Sequence, residues 1–496
     1  MTASLRALLE EGARHAPDVP VVDDLTWAQL HDQALRVASA LVREGVGVQE
    51  RVVFLGRNDP RFFAYLFGCA LAGAVPTPLN WRLGAGELAA IVADCGARVV
   101  LAEPEFAEVV DVPCVVPLDR LDAWWGPAED PGVPAEPDHV AFQLYTSGTT
   151  GRPKGAMFAN GTNLRVLLDD IAPQWGFVPG DVSLLAMPLF HMGGMAWALA
   201  GMVRGARAVV VRDFVPGAVL DTMERERVTT AFCVPAMLTA LCAVPGIDGR
   251  ALALRQMVYS GSPISASALA AAMKALRCDF VQIYGMTEAT GAFAQLPAED
   301  HDPAGAGVLR SAGRPYPWVE VRVVGRDGAD VPTGGIGEIW TRSEQNLVGY
   351  WNRPEETAAA LTADGWLRTG DLGHLDGTGR IYLVDRLKDM IITGGENVYP
   401  AQVEDVLAAH PDLAEVAVIG VPDERWGETV RAVVVPREGA VVDPANVIAF
   451  ARERLAHFKC PTGVDVVAAL PRTATGKVRK TELREPYWRG HDRRIH

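Results

Sequence analysis

Helical and extended hydrophobic patterns alternate along the first hundred residues. Thr26 and Gln29 have the spacing of a helix capping box, and the apolar residues from Leu30 to Val42 recur on one helical face. The continuous apolar run at 51–55 predicts a buried strand. The same alternation predicts further helices at 59–73 and 86–95 and further strands at 74–78 and 98–102. Because parallel strands need helical crossovers, the pattern predicts a parallel sheet with helices on both faces.

The rest of the chain shows three further patterns: a second alternating series, short strands with glycine turns near 309–345, and a compact α+β pattern from 388. The expected strands lie at 206–211, 230–234, 256–260, 414–421 and 429–435, with a helix at 446–455. The predicted fold class is therefore α/β. A large N-terminal domain at 1–387 contains two doubly wound sheet subdomains and a small β-rich subdomain, and a small α+β C-terminal domain follows at 388–496.

Charge and cysteine usage narrow the class of function. The 496 residues carry a formal net charge of −15, which disfavours a dedicated nucleic-acid binder. Seven dispersed cysteines without a CxxC pair indicate reduced thiols and a cytoplasmic protein. The N-terminus lacks the charged and apolar pattern of a signal peptide. The longest apolar stretch, from Met195, is broken by Arg204 and Arg207, so we expect no membrane span.

The stretch at 145–156 is dense in glycine and hydroxyl residues and follows a predicted strand at 140–145. Glycines allow a tight turn whose N–H groups point at an anion, and Lys154 adds a charge that reaches a phosphate. A Walker A loop would continue as Gly-Lys-Ser/Thr, whereas Lys154 stands between Pro153 and Gly155. The stretch therefore predicts a loop that holds phosphates without organising γ-phosphate transfer.

Three later motifs could complete a nucleotide site. In Tyr284-Gly-Met-Thr-Glu288, the aromatic ring can stack on a purine, the hydroxyl of Thr287 can meet the α-phosphate, and the carboxylate can hold Mg²⁺. Asp371 stands on a Thr-Gly turn, where a carboxylate can accept both ribose hydroxyls. The turn at 260–263 could bind adenine through its backbone, although on its own it is a weak motif.

The run from Tyr145 to Gly155 resembles the signature of the adenylate-forming superfamily, which comprises acyl- and aryl-CoA synthetases, luciferases and adenylation domains of peptide synthetases. The resemblance extends over roughly residues 20–485, with the motifs in the same order. The turn at 260–263 departs from it, with Ser260 and Ser262 where the family has Gly and Ala. The runs at 388–400 and 483–487 are most similar to bacterial fatty acyl-CoA ligases.

The resemblance implies ATP, Mg²⁺ and coenzyme A as cofactors and cosubstrates. It places Mg²⁺ on Glu288, the ribose on Asp371 and Arg386, and adenine on Tyr284. The residues implied to bind ATP or AMP are Thr146, Ser147, Gly148, Thr149, Thr150, Gly151, Lys154, Gly261, Ser262, Pro263, Tyr284, Gly285, Met286, Thr287, Asp371 and Arg386.

The C-terminal domain supplies the remaining implied roles. The run at 471–477 resembles the family's C-terminal catalytic motif, so Lys477 would reach both the substrate carboxylate and the α-phosphate. Lys388 falls at the family's hinge, and we expect a mobile domain that turns there between two half-reactions. The implied catalytic residues are Lys477, Thr287 and His191, and those approaching coenzyme A are Gly394, Gly395 and Glu396.

Segments that line the acyl site in relatives carry almost no charge here, which disfavours dicarboxylates and favours a hydrophobic monocarboxylic acid. The expected acyl-pocket residues are His191, Met192, Met195, Trp197, Val234, Met237 and Ser260. A medium- or long-chain fatty acid is the first choice, and a bulky polycyclic or aromatic carboxylate is the alternative. A stand-alone enzyme that loads a carrier protein would keep the same nucleotide motifs, and a luciferase-type oxygenase is a more remote alternative. We expect a monomer or homodimer, and the basic residues after 477 could meet coenzyme A phosphates or a membrane surface.

Overall fold

The structure is a computed structural model that describes residues 4–147, 153–262, 264, 266–302, 308–394, 396–473 and 476–489. Several residues assigned from the sequence lie outside this part, namely Gly148, Thr149, Thr150, Gly151, Pro263, Gly395 and the side chain of Ser147.

The first alternating series forms a parallel sheet with the strand order β4-β3-β5-β6. Its elements are α1 (Leu5–His15), β1 (Pro20–Val22), β2 (Leu25–Thr26), α2 (Trp27–Arg43), β3 (Arg51–Leu55), α3 (Arg61–Leu71), β4 (Val75–Leu79), α4 (Ala85–Cys95), β5 (Val99–Ala102), β6 (Cys114–Pro117) and α5 (Leu121–Trp124). The predicted capping box is present: the hydroxyl of Thr26 accepts from the Gln29 N–H at 3.3 Å, and the Gln29 side chain accepts from the Thr26 N–H at 3.0 Å. The predicted helices and strands of this region are confirmed within a few residues at their ends.

A hairpin follows that the hydrophobic pattern did not predict. Its elements are β7 (Val140–Ser147), β8 (Pro153–Ala159) and the short helix α6 (Ala172–Gln174). The two strands pair antiparallel, with Thr146 opposite Lys154. The predicted phosphate loop therefore joins two paired strands, which hold its two ends side by side.

The second alternating series builds the largest sheet, whose strand order is β15-β14-β13-β12-β11-β9-β10-β1-β2. Its elements are β9 (Val182–Leu185), α7 (Met192–Val203), β10 (Arg207–Val210), α8 (Pro216–Arg225), β11 (Thr230–Cys233), α9 (Pro235–Cys242), β12 (Gln256–Tyr259), α10 (Ala266–Leu276), β13 (Asp279–Tyr284), β14 (Ala294–Leu296) and β15 (Arg314–Pro315). Strands β9 to β13 are parallel. Their carboxyl ends lie at one edge, where ligands bind in open α/β sheets.

The β-rich subdomain is larger than the segment 309–345 predicted for it. Its elements are β16 (Glu320–Val324), β17 (Gly337–Arg342), β18 (Gly349–Tyr350), α11 (Pro354–Ala360), β19 (Leu367–Leu375) and β20 (Ile381–Arg386). The order β16-β17-β19-β20 shows that strands beyond 345 complete the sheet. Strand β18 instead pairs with β8, with Tyr350 opposite Ala156, so this segment also supports the phosphate-loop hairpin.

The C-terminal segment has the predicted α+β composition and its own buried core around Ile391, Val418 and Val434. Its elements are β21 (Ile391–Thr393), β22 (Glu396–Val398), α12 (Pro400–Leu407), β23 (Leu413–Asp423), β24 (Gly427–Pro436), α13 (Pro444–Arg452), β25 (Gly463–Val466) and α14 (Lys480–Trp488). Helix α13 begins before the predicted residue 446, because Asp443 caps the Ala445 N–H at 3.0 Å and proline suits the first helical position. Among the described residues, every helix is too short or too polar to cross a bilayer.

Candidate active site

The phosphate-loop hairpin is anchored at Tyr145, where β7 approaches the loop. Its hydroxyl donates to Asp94 of α4 at 2.7 Å, and burial raises the pKa of Tyr145 further above its usual range, with Asp94 adding to the shift. Arg353 donates to the other carboxylate oxygen of Asp94 at 2.5 Å. These bonds tie the loop's entry strand to a helix and to the turn after β18, so the loop starts from a fixed position.

Glu288, the predicted metal ligand, is buried and lies next to the hairpin. Its side chain is held by two hydroxyl donors, Thr146 at 3.2 Å and Tyr350 at 2.9 Å. The ring of Tyr350 also lies under Lys154, whose Nζ is 5.3 Å from the ring centroid. The structure therefore brings together Thr146, Lys154 and Glu288, all predicted from the sequence, and Tyr350 contacts both Glu288 and Lys154.

The short turn that carries Thr287 and Glu288 is held from behind by Gln345, which is fully buried. Its Nε2 donates to the carbonyls of Ala289 and Ala292, both at 2.7 Å, and its Oε1 accepts from the Trp318 indole at 2.8 Å. Sequence reasoning missed both Gln345 and Tyr350, because a single glutamine or tyrosine in a loop carries no motif of its own.

Asp371 and Arg386 face each other across strands β19 and β20 as register partners. The Arg386 Nε lies 3.1 Å from one carboxylate oxygen of Asp371, and the Tyr284 hydroxyl donates to the other at 2.8 Å. Asp371 raises the pKa of Arg386, so the guanidinium stays charged. The predicted ribose and adenine residues are therefore one hydrogen-bonded group.

Lys477 belongs to the C-terminal segment, and the charges of Arg386, Asp371 and Glu288 act on its amine. Its loop is closed by a bond from the Thr473 N–H to the Lys477 carbonyl at 2.7 Å, and a Cβ added at Gly476 would lie 3.5 Å from the Ala236 Cβ at the start of α9. Lost solvation lowers the pKa of Lys477 to about 8, with Arg386 lowering it further and Asp371 opposing. Lys477 is itself an exposed residue.

His191 stands at the N-terminus of α7, where the predicted acyl site begins. Its Nε2 is buried without a hydrogen-bond partner among the described residues. Burial lowers the pKa of His191 to about 4, and the charges of Arg82 and Lys477 lower it in the same direction. The imidazole is therefore neutral at pH 7.

The other predicted acyl residues differ in exposure. Ser260 and Met237 keep some accessible surface, whereas Val234 and Met192 are buried. A Cβ added at Gly261 would lie 3.1 Å from Val234, and one at Gly291 would lie 3.3 Å from Met192, so glycine permits close packing at both positions. Met195 and Trp197 are each only 1% exposed.

The predicted hinge residue and the predicted coenzyme A loop lie in the remaining part of the C-terminal segment. Burial lowers the pKa of Lys388, and its carbonyl accepts from Arg484 of α14 at 3.5 Å. Gly394 donates its N–H to the Trp426 carbonyl at 2.9 Å, and Glu396 is exposed at the start of β22. The neighbouring Asn397 accepts from Arg326 of the β-rich subdomain at 2.8 Å.

The donor set fits magnesium. No cluster of three or more His, Cys, Asp or Glu side chains suited to a metal occurs in the described part of the chain. Mg²⁺ is commonly held by one or two carboxylates together with substrate phosphates and water. The buried oxygen donor Glu288, beside a phosphate loop, meets that requirement.

Comparison with known proteins agrees with this geometry. The family model described as AMP-binding enzyme matches residues 9–351, and that of the AMP-binding enzyme C-terminal domain matches residues 402–477. The chain is 38% identical to the fatty acid–[acyl-carrier-protein] ligase ScoC of Streptomyces coeruleorubidus, with 97% of this chain and 96% of ScoC covered. It is 42% identical to a feruloyl-CoA synthase of an Amycolatopsis species, with 93% and 94% covered.

A solved structure shares the complete fold. The o-succinylbenzoate CoA synthetase of Bacillus subtilis, in complex with the acyl-adenylate intermediate OSB-AMP, superimposes with a TM-score of 0.85 at 30% identity, over 96% of this chain and 97% of the synthetase. The predicted α/β fold class is thereby confirmed. The chain belongs to the AMP-binding enzyme family and is an enzyme of the adenylate-forming acyl-CoA ligase group.

Proposed function

We propose that this enzyme couples a hydrophobic monocarboxylic acid to AMP and then transfers the acyl group to the thiol of coenzyme A. The observation that carries the proposal is the grouping of the nucleotide motifs, in which Tyr284 and Arg386 hold Asp371 while Thr146 and Tyr350 hold Glu288. The charges of this group act on Lys477 of the C-terminal segment. The positive charge of Lys477 at a nucleotide site suits a reaction in which a carboxylate must approach the phosphates of ATP. The products are the acyl-CoA thioester, AMP and pyrophosphate.

In the first step, the substrate carboxylate attacks the α-phosphorus of ATP in line and expels pyrophosphate. Lys477 is largely protonated at pH 7 because its pKa is about 8, so it can attract the carboxylate and stabilise charge on the α-phosphate. Lys154 and the loop N–H groups hold the departing phosphates. Glu288 would hold Mg²⁺, which supplies charge neutralisation on the phosphate oxygens.

Tyr284, Asp371 and Arg386 position the nucleoside in this proposal. The Tyr284–Asp371 bond of 2.8 Å fixes one carboxylate oxygen, and Arg386 orients the other. Thr287 stands next to Glu288 and offers its hydroxyl to the α-phosphate. His191, neutral at pH 7, borders the acid without adding charge, so it orients the carboxylate but does not compete with Lys477 for it.

In the second step, the thiol attacks the carbonyl carbon of the acyl-adenylate and AMP leaves. We propose that the domain at 388–496 turns about Lys388, so that Lys477 withdraws and the loop at 394–396 approaches the acyl-adenylate. Strand β20 ends at Arg386 and β21 begins at Ile391, so the chain passes into this segment through a short connection. Such a connection supports the proposed movement. Free coenzyme A is the proposed acceptor, and a carrier protein is the alternative, since ScoC by its name loads one.

The class of acid is the most specific part of the proposal. The uncharged acyl segments support a hydrophobic monocarboxylate, for which a fatty acid was the first choice from the sequence. An aromatic acid is the alternative, since one relative is by its name a feruloyl-CoA synthase.

The two-step division is tested with Lys477→Ala and a matched surface control, Lys274→Ala on α10, where the side chain is exposed. The Lys477 variant should lose acyl-AMP formation by a factor of about a hundred or more. It should still convert supplied acyl-AMP and coenzyme A to thioester at a near-normal rate. Equal loss of both half-reactions would contradict the division, and unchanged pyrophosphate release would contradict the role of Lys477. Supplying coenzyme A or a carrier protein in parallel identifies the acceptor.

A further inference from the structure

Strand β19 contains a bulge where it carries the predicted ribose-binding carboxylate. On one side of the bulge Glu338 of β17 pairs with Leu372, and on the other side Trp340 pairs with Arg368. A single residue of β17 therefore faces three residues of β19, which are residues 369–371. Because a bulge interrupts the ladder of backbone hydrogen bonds, its N–H groups need other acceptors.

Side chains supply these acceptors. The Gly370 N–H donates to one carboxylate oxygen of Glu338 at 2.9 Å, and the Asp371 N–H donates to the Thr369 hydroxyl oxygen at 3.1 Å. That hydroxyl in turn donates to the Ile339 carbonyl at 2.6 Å. Glu338 therefore reaches the bulge from the neighbouring strand, whereas Thr369 belongs to the bulge itself.

Gly370 depends on such support for its conformation. Its φ of +70° lies in the left-handed region, and glycine adopts either sign of φ with similar ease. The bond to Glu338 fixes its N–H, and its carbonyl accepts from the Leu387 N–H at 2.9 Å. Because Asp371 follows directly, the orientation of Gly370 determines where the ribose-binding carboxylate points.

Glu338 is itself held by Trp340, which lies two residues further on β17. The Trp340 indole N–H donates to the second carboxylate oxygen of Glu338 at 2.7 Å. The guanidinium groups of Arg322 and Arg368 lie 4.6 Å and 5.0 Å from the centroid of the Trp340 ring, so cation–π contacts hold the indole in place. Each oxygen of the Glu338 carboxylate therefore has a donor, and together these donors fix its orientation.

We propose that Glu338 is a positioning residue for the nucleotide. By holding the Gly370 N–H, it maintains the bulge that aims the Asp371 carboxylate at the two ribose hydroxyls. Glu338 acts through Gly370 and does not itself contact the nucleotide. This inference rests on the proposed binding of ATP by Asp371, and it names the residue on which recognition of the ribose hydroxyls depends.

The test compares the Kd of Mg·ATP with that of Mg·2′,3′-dideoxy-ATP by isothermal titration calorimetry, without any acid. The wild-type protein should bind ATP about tenfold or more tightly than the analogue, because the analogue leaves Asp371 without its hydroxyl donors. Glu338→Ala should lower this ratio at least about threefold by weakening ATP binding, while the Kd of the analogue stays within about twofold of the wild-type value. Glu338→Gln keeps an oxygen that can accept the Gly370 N–H, so it should retain more of the ratio than Glu338→Ala.

Glu320→Ala is the matched control, because it removes an exposed carboxylate of the same sheet that pairs with Arg342 at 2.6 Å. It should leave the ratio unchanged. If Glu338→Ala does not fold, Glu338→Asp replaces it, since its carboxylate is one methylene too short to reach Gly370, and the ratio should fall there as well.

Two results would overturn the assignment while leaving the nucleotide site intact. One is a wild-type ratio in the Glu338 variant, and the other is an equal weakening of ATP and dideoxy-ATP binding, which a merely structural role would produce. A wild-type protein that binds neither nucleotide, or both with equal affinity, would instead refute the proposed ribose site and this assignment with it.

Discussion

Acyl-AMP formation should depend on the charge of Lys477 and should therefore fall as the pH rises through about 8. Lost solvation and the nearby Arg386 lower the pKa of Lys477 to about 8, and the amine is charged only below that value. It would be roughly 90% charged at pH 7 and roughly 10% charged at pH 9. If only the charged form reacts, kcat/KM should drop about tenfold between these values.

The assay is ATP-dependent pyrophosphate release under conditions that report kcat/KM for ATP, since that parameter follows the pKa values of the free enzyme. The decline of kcat itself should lie at higher pH, because bound phosphates stabilise the charged lysine. Lys477→Arg provides the matched variant. Its guanidinium stays charged over this range, so its activity, although lower, should not decline near pH 8.

Two results would refute this reasoning. Acyl-AMP formation that stays constant from pH 7 to pH 9.5 in the wild type would show that the charge of Lys477 does not matter. A decline near pH 8 that persists in Lys477→Arg would assign it to another group. Thioester formation from supplied acyl-AMP serves as an internal control, because the proposed second step takes place after Lys477 has withdrawn.

Two further predictions concern the supports of Glu288. Tyr350→Phe removes the 2.9 Å hydrogen bond to the Glu288 carboxylate but keeps the ring beside Lys154. The rate of acyl-AMP formation should fall about tenfold, which corresponds to a loss of about 1.5 kcal/mol. The variant should also need a higher Mg²⁺ concentration to reach its half-maximal rate. Kinetics at varied Mg²⁺ measure this. Gln345→Leu leaves two buried carbonyls without donors, so the free energy of unfolding should fall by about 2–4 kcal/mol, as measured by urea denaturation.

Each of these variants has a control in the chain. Tyr382→Phe, on β20, removes a phenol hydroxyl from a half-buried ring stacked on His374 and should leave the Mg²⁺ requirement unchanged. Gln33→Leu lies on the half-buried side of α2 and should change the free energy of unfolding by less than about 1 kcal/mol. An unaltered Mg²⁺ response in Tyr350→Phe, or full stability in Gln345→Leu, would contradict the roles assigned to these side chains.

The alternating hydrophobic pattern and the contiguous motifs were readable in the sequence by itself. Helix and strand periodicity is a local property, so α2, β3 and the strands near Gln256 were predicted within a few residues of their observed ends. The sequences of the phosphate loop and of the Thr-Gly-Asp run at Asp371 were recognisable for the same reason, since their glycines and hydroxyls are neighbours in the chain. The predicted turn at Asp371 was wrong, because Asp371 lies within strand β19 and pairs there with Arg386. The family and the fold class followed from these two kinds of information.

Tertiary structure decided what depends on contacts between distant segments. The third strand of the β7–β8 hairpin, at Gly349–Tyr350, pairs with a segment almost two hundred residues earlier in the chain, and no local period reveals such a pairing. The same pairing places Tyr350 between Lys154 and Glu288. Trp197 packs against three rings from other parts of the chain, and its neighbours in the sequence do not reveal these contacts. Packing of this kind depends on which side chains meet across the core, and only the folded chain brings them together.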